Sequence, residues 1–86
     1  MSASAIVIAD AIFPAQVRAG RALLGWTQEE LSTASGVPKR TIARIELADG
    51  TPRATTLAPI RAALEAAGVE FTDGAAPGVR LRCPNR

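Results

Sequence analysis

The sequence predicts a mainly α-helical domain of four to five short helices that ends in a β-hairpin. Glycines and prolines divide the chain into segments of helical length, apolar residues recur at helical spacing within them, and the last segment changes to strand-like alternation. Hydrophobic residues make up 48% of the 86 residues but aromatic residues only 3%, so the core must consist mostly of small aliphatic side chains. A chain of this length is expected to form one domain, which self-association would stabilise.

Residues 1–12 are an N-terminal extension for which three structures remain open. Three β-branched residues at 6–8 favour a strand, but a tail or an early start of the first helix also fits. The first helix is predicted to run from Pro14 to Leu24, because proline suits the first turn of a helix. Gly25 then ends it.

A second helix is predicted to begin at Thr27 or one residue later. Thr27 and Glu30 have the spacing of a capping box, in which each residue satisfies a backbone N–H of the other. Leu31 and Ala34 are expected to face the core. Gly36 is expected to end this helix in a left-handed conformation, which glycine adopts without steric cost.

The third helix is predicted to run from Pro38 to Leu47, with proline as its first residue. Ile42 and Ile45 lie three residues apart and are expected to face the core. Three cations then remain on the outer side of this helix: Lys39, Arg40 and Arg44. A basic stripe on one exposed helix indicates nucleic-acid binding, although charge alone favours an ordinary solvated face.

A polar loop at residues 48–53 precedes a fourth helix, predicted over 55–67, whose inward positions have helical spacing. Apolar and polar residues then alternate on both sides of a six-residue loop at 73–78, which predicts a β-hairpin. A two-stranded hairpin is marginal alone. It therefore needs a partner, which could be a helix, the segment at residues 5–8, or the same strand of a second copy.

The composition offers few side chains of the types that catalysis or metal binding requires. The chain has no histidine and one cysteine, which excludes a disulfide framework and an ordinary Cys/His zinc site. No nucleophile lies beside a plausible base. We expect no enzymatic activity, no metal and no cofactor. The apolar run near the N-terminus is too short for a signal peptide or a membrane span.

The segment 27–46, TQEELSTASGVPKRTIARIE, resembles the lambda-repressor-like (Xre or Cro-type) helix-turn-helix family. The resemblance covers roughly residues 14–67 and rests on LLGWTQEELSTASGV, then TIARIE, a polar loop and a fourth helix. The tail LEAAGVEFTDGAAPGVRLR is similar to the ending of many short bacterial members. These predictions together divide the chain into an N-terminal extension at 1–12, which lies beyond the resemblance, a helix-turn-helix domain at 13–68 and a hairpin segment at 69–86.

The resemblance also implies a function and its residues. The protein would be a sequence-specific regulator of transcription that inserts helix 38–47 into the major groove of double-stranded DNA. Base readout would come from Lys39, Arg40 and Arg44, and since Arg and Lys suit the guanine edge, half-sites should contain guanines. Phosphate contacts would come from five residues: Thr27, Gln28, Thr41, Arg53 and Arg18. Pro38 stands where many members have Ser or Thr, which removes one phosphate contact.

Arg21 and Glu46 match positions that the family often pairs, which implies a partly buried ion pair that orients the third helix. Removing one partner of such a pair leaves an uncompensated charge, at a cost of about 3–5 kcal/mol if burial is deep. Their role is therefore expected to be structural.

We expect a cytoplasmic repressor, associated with the nucleoid when bound to DNA and without membrane contact, that acts as a homodimer. The hairpin is the candidate dimerisation element, through Phe71, Val79 and Leu81. One alternative is the antitoxin of a toxin–antitoxin pair, which would bind a toxin or co-regulator and regulate its own synthesis through the same motif. A helical adaptor without DNA affinity is a third hypothesis.

Overall fold

The computed structural model describes residues 2–50, 52–72 and 75–82, and the side chains from residue 13 onward within these ranges. Part of the predicted hairpin loop (73–74) and the last four residues of the hairpin segment lie outside them. The described residues form helices α1 to α4 and strands β1 and β2, in this order: Ser2–Leu24, Gln28–Ser35, Lys39–Glu46, Ala54–Ala66, Val69–Thr72 and Gly78–Leu81. The predicted fold class is confirmed, with four helices in the part of the chain that is described.

Helix α1 begins at Ser2, twelve residues before the predicted start at Pro14. The N-terminal extension is therefore neither a strand nor a tail, and the third alternative, an early helix start, is the one observed. Residues 2–12 contain four alanines, and alanine has the highest helix propensity. This preference outweighs that of the β-branched residues at 6–8. Pro14 lies inside the helix, where it has no backbone N–H to donate.

Helix α2 has the predicted capping box at its start. The backbone N–H of Glu30 donates to Thr27 Oγ1 at 3.1 Å, and the backbone N–H of Thr27 donates to Glu30 Oε1 at 2.7 Å. Gly36 ends the helix with a φ of 78°, as expected. Ala34 was expected to face the core but is exposed; the next buried residue after Leu31 is Val37 in the turn.

Helix α3 begins one residue later than predicted. Pro38 is the N-cap rather than the first helical residue, and Leu47 is the C-cap rather than the last. The turn before α3 is held by two serines of α2: Ser32 Oγ donates to the Val37 carbonyl at 2.6 Å, and Ser35 Oγ accepts from the Val37 N–H. The start of α3 is therefore fixed by α2.

The core lies between the four helices and the hairpin. Its buried residues come from every element except β2, and they are Val17, Leu31, Val37, Ile42, Ile45, Ile60, Leu64 and Val69. The predicted core residues of the third helix are confirmed. Helix α4 lies one residue nearer the N-terminus than predicted, and Pro59 lies inside it. No helix in the described ranges is long and apolar enough to cross a membrane.

The hairpin pairs β1 with β2 in antiparallel register, with Val69 opposite Leu81 and Phe71 opposite Val79. Its partner is helical, since β2 packs on α1 and β1 packs on α4. Gln16, which is buried, ties α1 to the hairpin: its Nε2 donates to the carbonyls of Thr72 at 3.1 Å and Gly78 at 2.9 Å. Because β2 begins at Gly78, the loop is one residue shorter than predicted.

Candidate nucleic-acid interface

Helix α3 presents a basic outer side. Ile42 and Ile45 are buried against the core, and the three cations expected on the opposite side, Lys39, Arg40 and Arg44, are all exposed. The single acidic residue of α3, Glu46, is buried and paired. The exposed charge of this helix is therefore entirely positive.

Glu46, which is buried, is the centre of a partly buried polar network beneath this basic side. Arg21 donates from Nε to Glu46 Oε2 at 2.7 Å and from its NH2 nitrogen to Oε1 at 2.8 Å, so the ion pair is bidentate. The third nitrogen of the guanidinium donates to the carbonyl of Trp26 at 2.8 Å. The ion pair expected from the sequence is present, and it joins α1 to the last turn of α3.

The surroundings of the Arg21–Glu46 pair favour the ionised form of both side chains. Burial of Glu46 acts to raise its pKa, but the hydrogen bonds from Arg21 and Gln28 and the positive charge of Arg21 outweigh burial, so the pKa lies below its ordinary value. The hydrogen bond to Glu46 raises the pKa of Arg21 despite partial burial. The pair therefore stays ionised at neutral pH.

Two of the expected phosphate contacts, Gln28 and Arg18, also reach Glu46. Gln28 Nε2 donates to Glu46 Oε1 at 3.0 Å, and one guanidinium nitrogen of Arg18 donates to the Glu46 backbone carbonyl. A side-chain amide carries two N–H donors and a guanidinium five, so each residue keeps donors beyond those contacts. No local sequence pattern predicts these two contacts, because Gln28 lies 18 positions from Glu46 in the sequence and Arg18 lies 28 positions from it.

The other expected phosphate contacts lie around α3. Thr27 precedes α2 and is exposed, and Thr41 in α3 is half-buried. Arg53 is exposed and is the N-cap of α4. Thr27 Oγ1 accepts the capping hydrogen bond, which leaves its O–H available to donate. Pro38 makes no side-chain hydrogen bond at the start of α3.

Asp49 is a charged neighbour of the basic side that the sequence interpretation missed. Its Oδ2 lies 3.5 Å from Arg44 Nε, and both side chains are 64% exposed. An acidic residue just after the end of a basic helix was the available signal, but its contact depends on the conformation of the intervening turn.

The three residues expected at a dimer interface do not have equal exposure. Phe71 and Val79 are partly buried and pack against the chain's own core, and the Phe71 ring stacks on Phe13 with centroids 5.9 Å apart. Leu81 is 42% exposed. Of this set, Leu81 offers the most apolar surface to a second molecule.

The described residues contain no group of three or more His, Cys, Asp or Glu side chains that could hold a metal ion. A model of the helix-turn-helix family matches residues 17–70, which is more than half of the chain. The match includes α2, α3 and α4 and the turns between them. No curated protein sequence matches the chain.

Proposed function

Because the chain belongs to the lambda-repressor-like (Xre-type) helix-turn-helix family of DNA-binding transcription regulators, we propose that α3 enters the major groove and reads its bases. Lys39, Arg40 and Arg44 make the base contacts. The observation that carries this proposal is the division of α3 into an exposed side whose charges are all positive and a buried side fixed by the core and by Glu46.

The chemistry of these side chains favours guanine. Arginine and lysine donate to guanine O6 and N7 at the edge of the major groove, and a good bidentate contact contributes about 1–3 kcal/mol of discrimination. Helix α3 packs against α1 and α2, and this packing sets the positions of the backbone atoms from which the three side chains extend. Each half-site should therefore contain guanines.

Phosphate contacts place the domain on the duplex without reading its sequence. We assign them to the residues around α3, which are Thr27, Gln28, Thr41, Arg53 and Arg18. Glu46 supports this assignment, since its hydrogen bond with Gln28 holds one amide N–H and leaves the other for a phosphate oxygen. The network therefore connects phosphate binding to the position of α3.

Two alanine substitutions separate base readout from phosphate binding. Arg44→Ala should weaken binding to a duplex selected by the full-length protein by about 10- to 100-fold, and binding to random duplex DNA much less. Gln28→Ala should weaken both by similar factors, because a phosphate contact carries no sequence information. Fluorescence anisotropy at fixed salt measures both affinities.

Equal losses on both duplexes for Arg44→Ala would assign Arg44 to phosphate. Failure of the full-length wild-type protein to bind duplex DNA would overturn the proposed function as a whole.

We further propose that the protein is a homodimeric repressor that acts by occluding a promoter. Its two α3 helices would bind half-sites about one helical turn, ~34 Å, apart. The hairpin supports this proposal, since it has open strand edges and the exposed Leu81. The antitoxin alternative uses the same DNA contacts and adds a toxin as partner, so a toxin-like gene beside this one would favour it.

Two leucines with almost equal exposure test the dimer interface. Leu81 is 42% exposed and Leu23 in α1 is 43% exposed. Leu81→Glu should shift sedimentation of the full-length protein towards the monomer, because it places a charge in an apolar contact. Leu23→Glu is the matched control and should leave association unchanged. The same effect for both variants, or none for Leu81→Glu, would exclude the hairpin as the interface.

A further inference from the structure

The turn after α3 has a fixed and unusual conformation. Ala48 has a φ of 57°, which is a left-handed conformation at a residue other than glycine. The backbone N–H of Ala48 donates to the Ile45 carbonyl, and the N–H of Asp49 donates to the Arg44 carbonyl, both at 2.9 Å. These two bonds form a Schellman motif, which brings Asp49 back beside the last turn of the helix.

The motif explains why Asp49 lies beside Arg44. A left-handed residue with a Cβ costs roughly 1–2 kcal/mol, so Ala48 would not favour this turn by itself. The turn is nevertheless formed, and it sets the Asp49 carboxylate 3.5 Å from Arg44 Nε. An exposed ion pair of this kind contributes little to folding stability. Its effect should therefore appear in DNA binding.

The contact uses only one part of the Arg44 guanidinium. Asp49 lies nearest to Nε, on the side edge of the group. The two terminal nitrogens form the other edge, and they can donate together to guanine O6 and N7. A phosphate at either edge would bring a negative charge near the Asp49 carboxylate, whereas guanine O6 and N7 are uncharged acceptors. The geometry therefore favours a base over a phosphate as the partner of Arg44.

We propose that Asp49 is a specificity-determining residue that positions Arg44 for guanine and opposes its use on DNA phosphate. This inference rests on the proposed function, in which Arg44 reads a base. Asp49 acts through Arg44 and makes no contact with DNA itself. It lowers the affinity for random DNA and leaves the affinity for the operator almost unchanged, and so raises the ratio of operator affinity to random-DNA affinity.

Asp49→Asn tests this role in the full-length protein. The affinity for random duplex DNA should rise about three- to tenfold, because the freed Arg44 can bind a phosphate, and the ratio of selected-duplex to random-duplex affinity should fall by about the same factor. The plot of log affinity against log salt on random DNA should steepen by about one unit. The melting temperature should hardly change, since the pair is exposed.

Glu65→Gln is the matched control. It removes the same charge from a similarly exposed ion pair on α4, which has few contacts with α3. It should leave the affinity ratio unchanged. Equal effects of Glu65→Gln and Asp49→Asn would assign the change to net charge and overturn the proposal.

The double variant Asp49→Asn with Arg44→Ala shows whether Asp49 acts through Arg44. Its affinity ratio should equal that of Arg44→Ala alone. A further fall in the ratio would show that Asp49 acts on DNA independently, which overturns the proposal, as does an unchanged ratio in Asp49→Asn. In either case a wild-type protein that binds its selected duplex leaves the proposed function intact, whereas loss of all DNA binding by the wild type contradicts that function.

Discussion

Replacing Arg21 by methionine should lower the free energy of unfolding by about 3–5 kcal/mol at neutral pH. Methionine retains an apolar stem but removes the guanidinium that neutralises Glu46. The Glu46 side chain is 4% exposed, and among the residues that the structure describes only Gln28 would still donate to its carboxylate. An ionised carboxylate in this position has lost most of its hydration and would keep only the weaker attraction of Arg18. Urea denaturation of wild type and variant measures the difference.

The destabilisation should depend on pH in a definite direction. In the wild type the pKa of Glu46 lies below its ordinary value of 4.5, so the ion pair contributes stability above about that pH and loses it as the pH falls through the lowered pKa. In Arg21→Met, burial remains without this cation, and it should outweigh the hydrogen bond from Gln28 and the charge of Arg18, so that the pKa of Glu46 rises. Protonation of Glu46 then removes the free-energy cost of its buried charge as the pH falls. The gap in stability between the two proteins should therefore narrow in acid.

An exposed ion pair of the same length provides the control. Arg80 Nε lies 2.7 Å from Glu70 Oε1, as Arg21 Nε does from Glu46 Oε2, but the Arg80 side chain is 74% exposed. Arg80→Met should lower the free energy of unfolding far less than Arg21→Met does, because solvent screens an exposed ion pair. A cost for Arg21→Met as small as that of Arg80→Met, or a stability gap that stays constant below pH 4.5, would contradict the assignment of Glu46 as a buried charge.

Ile42→Ala should lower the free energy of unfolding by about 2–5 kcal/mol. Ile42 is fully buried and lies on the inner side of α3, one residue after Thr41 and two before Arg44. Truncation removes the buried methyl and methylene groups and leaves a cavity between α3 and the core. Thermal and urea denaturation report the loss.

Leu47→Ala is the control for this truncation. Leu47 caps the same helix but is 79% exposed, so its loss should change stability by less than about 0.5 kcal/mol. Similar costs for the two variants would show that α3 is not anchored through Ile42. Below its melting transition, Ile42→Ala should retain DNA binding, because the basic side chains are intact.

Local chemistry explains why the helix-turn-helix could be predicted within about one residue. The Thr27–Glu30 capping box and Gly36 act over a few residues, and they mark the ends of α2 without reference to the rest of the fold. The hairpin was predicted for the same reason, since alternation is a local pattern. The start of α1 was not predicted correctly. The alanines and the β-branched residues of the N-terminal segment favour different structures, and Pro14 was taken as the first helical residue although it lies inside the helix.

The candidate site was less predictable than the fold. The outward direction of Lys39, Arg40 and Arg44 follows from helical spacing, but the Arg21–Glu46 pair joins residues 25 positions apart and was expected only through the family resemblance. The position of Asp49 just after the basic helix was visible in the sequence, but that position alone does not predict its contact with Arg44. The contact depends on a left-handed alanine, which sequence propensity disfavours.

The most direct test of base readout by α3 is the sequence that the full-length protein enriches from a random duplex library. We expect one motif with guanines in each of two half-sites, about one helical turn apart from centre to centre. We also expect the preference at one position of each half-site to be lost when Arg44→Ala is used in the same selection. Enrichment of no motif, or of a motif that is unchanged by Arg44→Ala, would contradict the assignment of Arg44 to base readout.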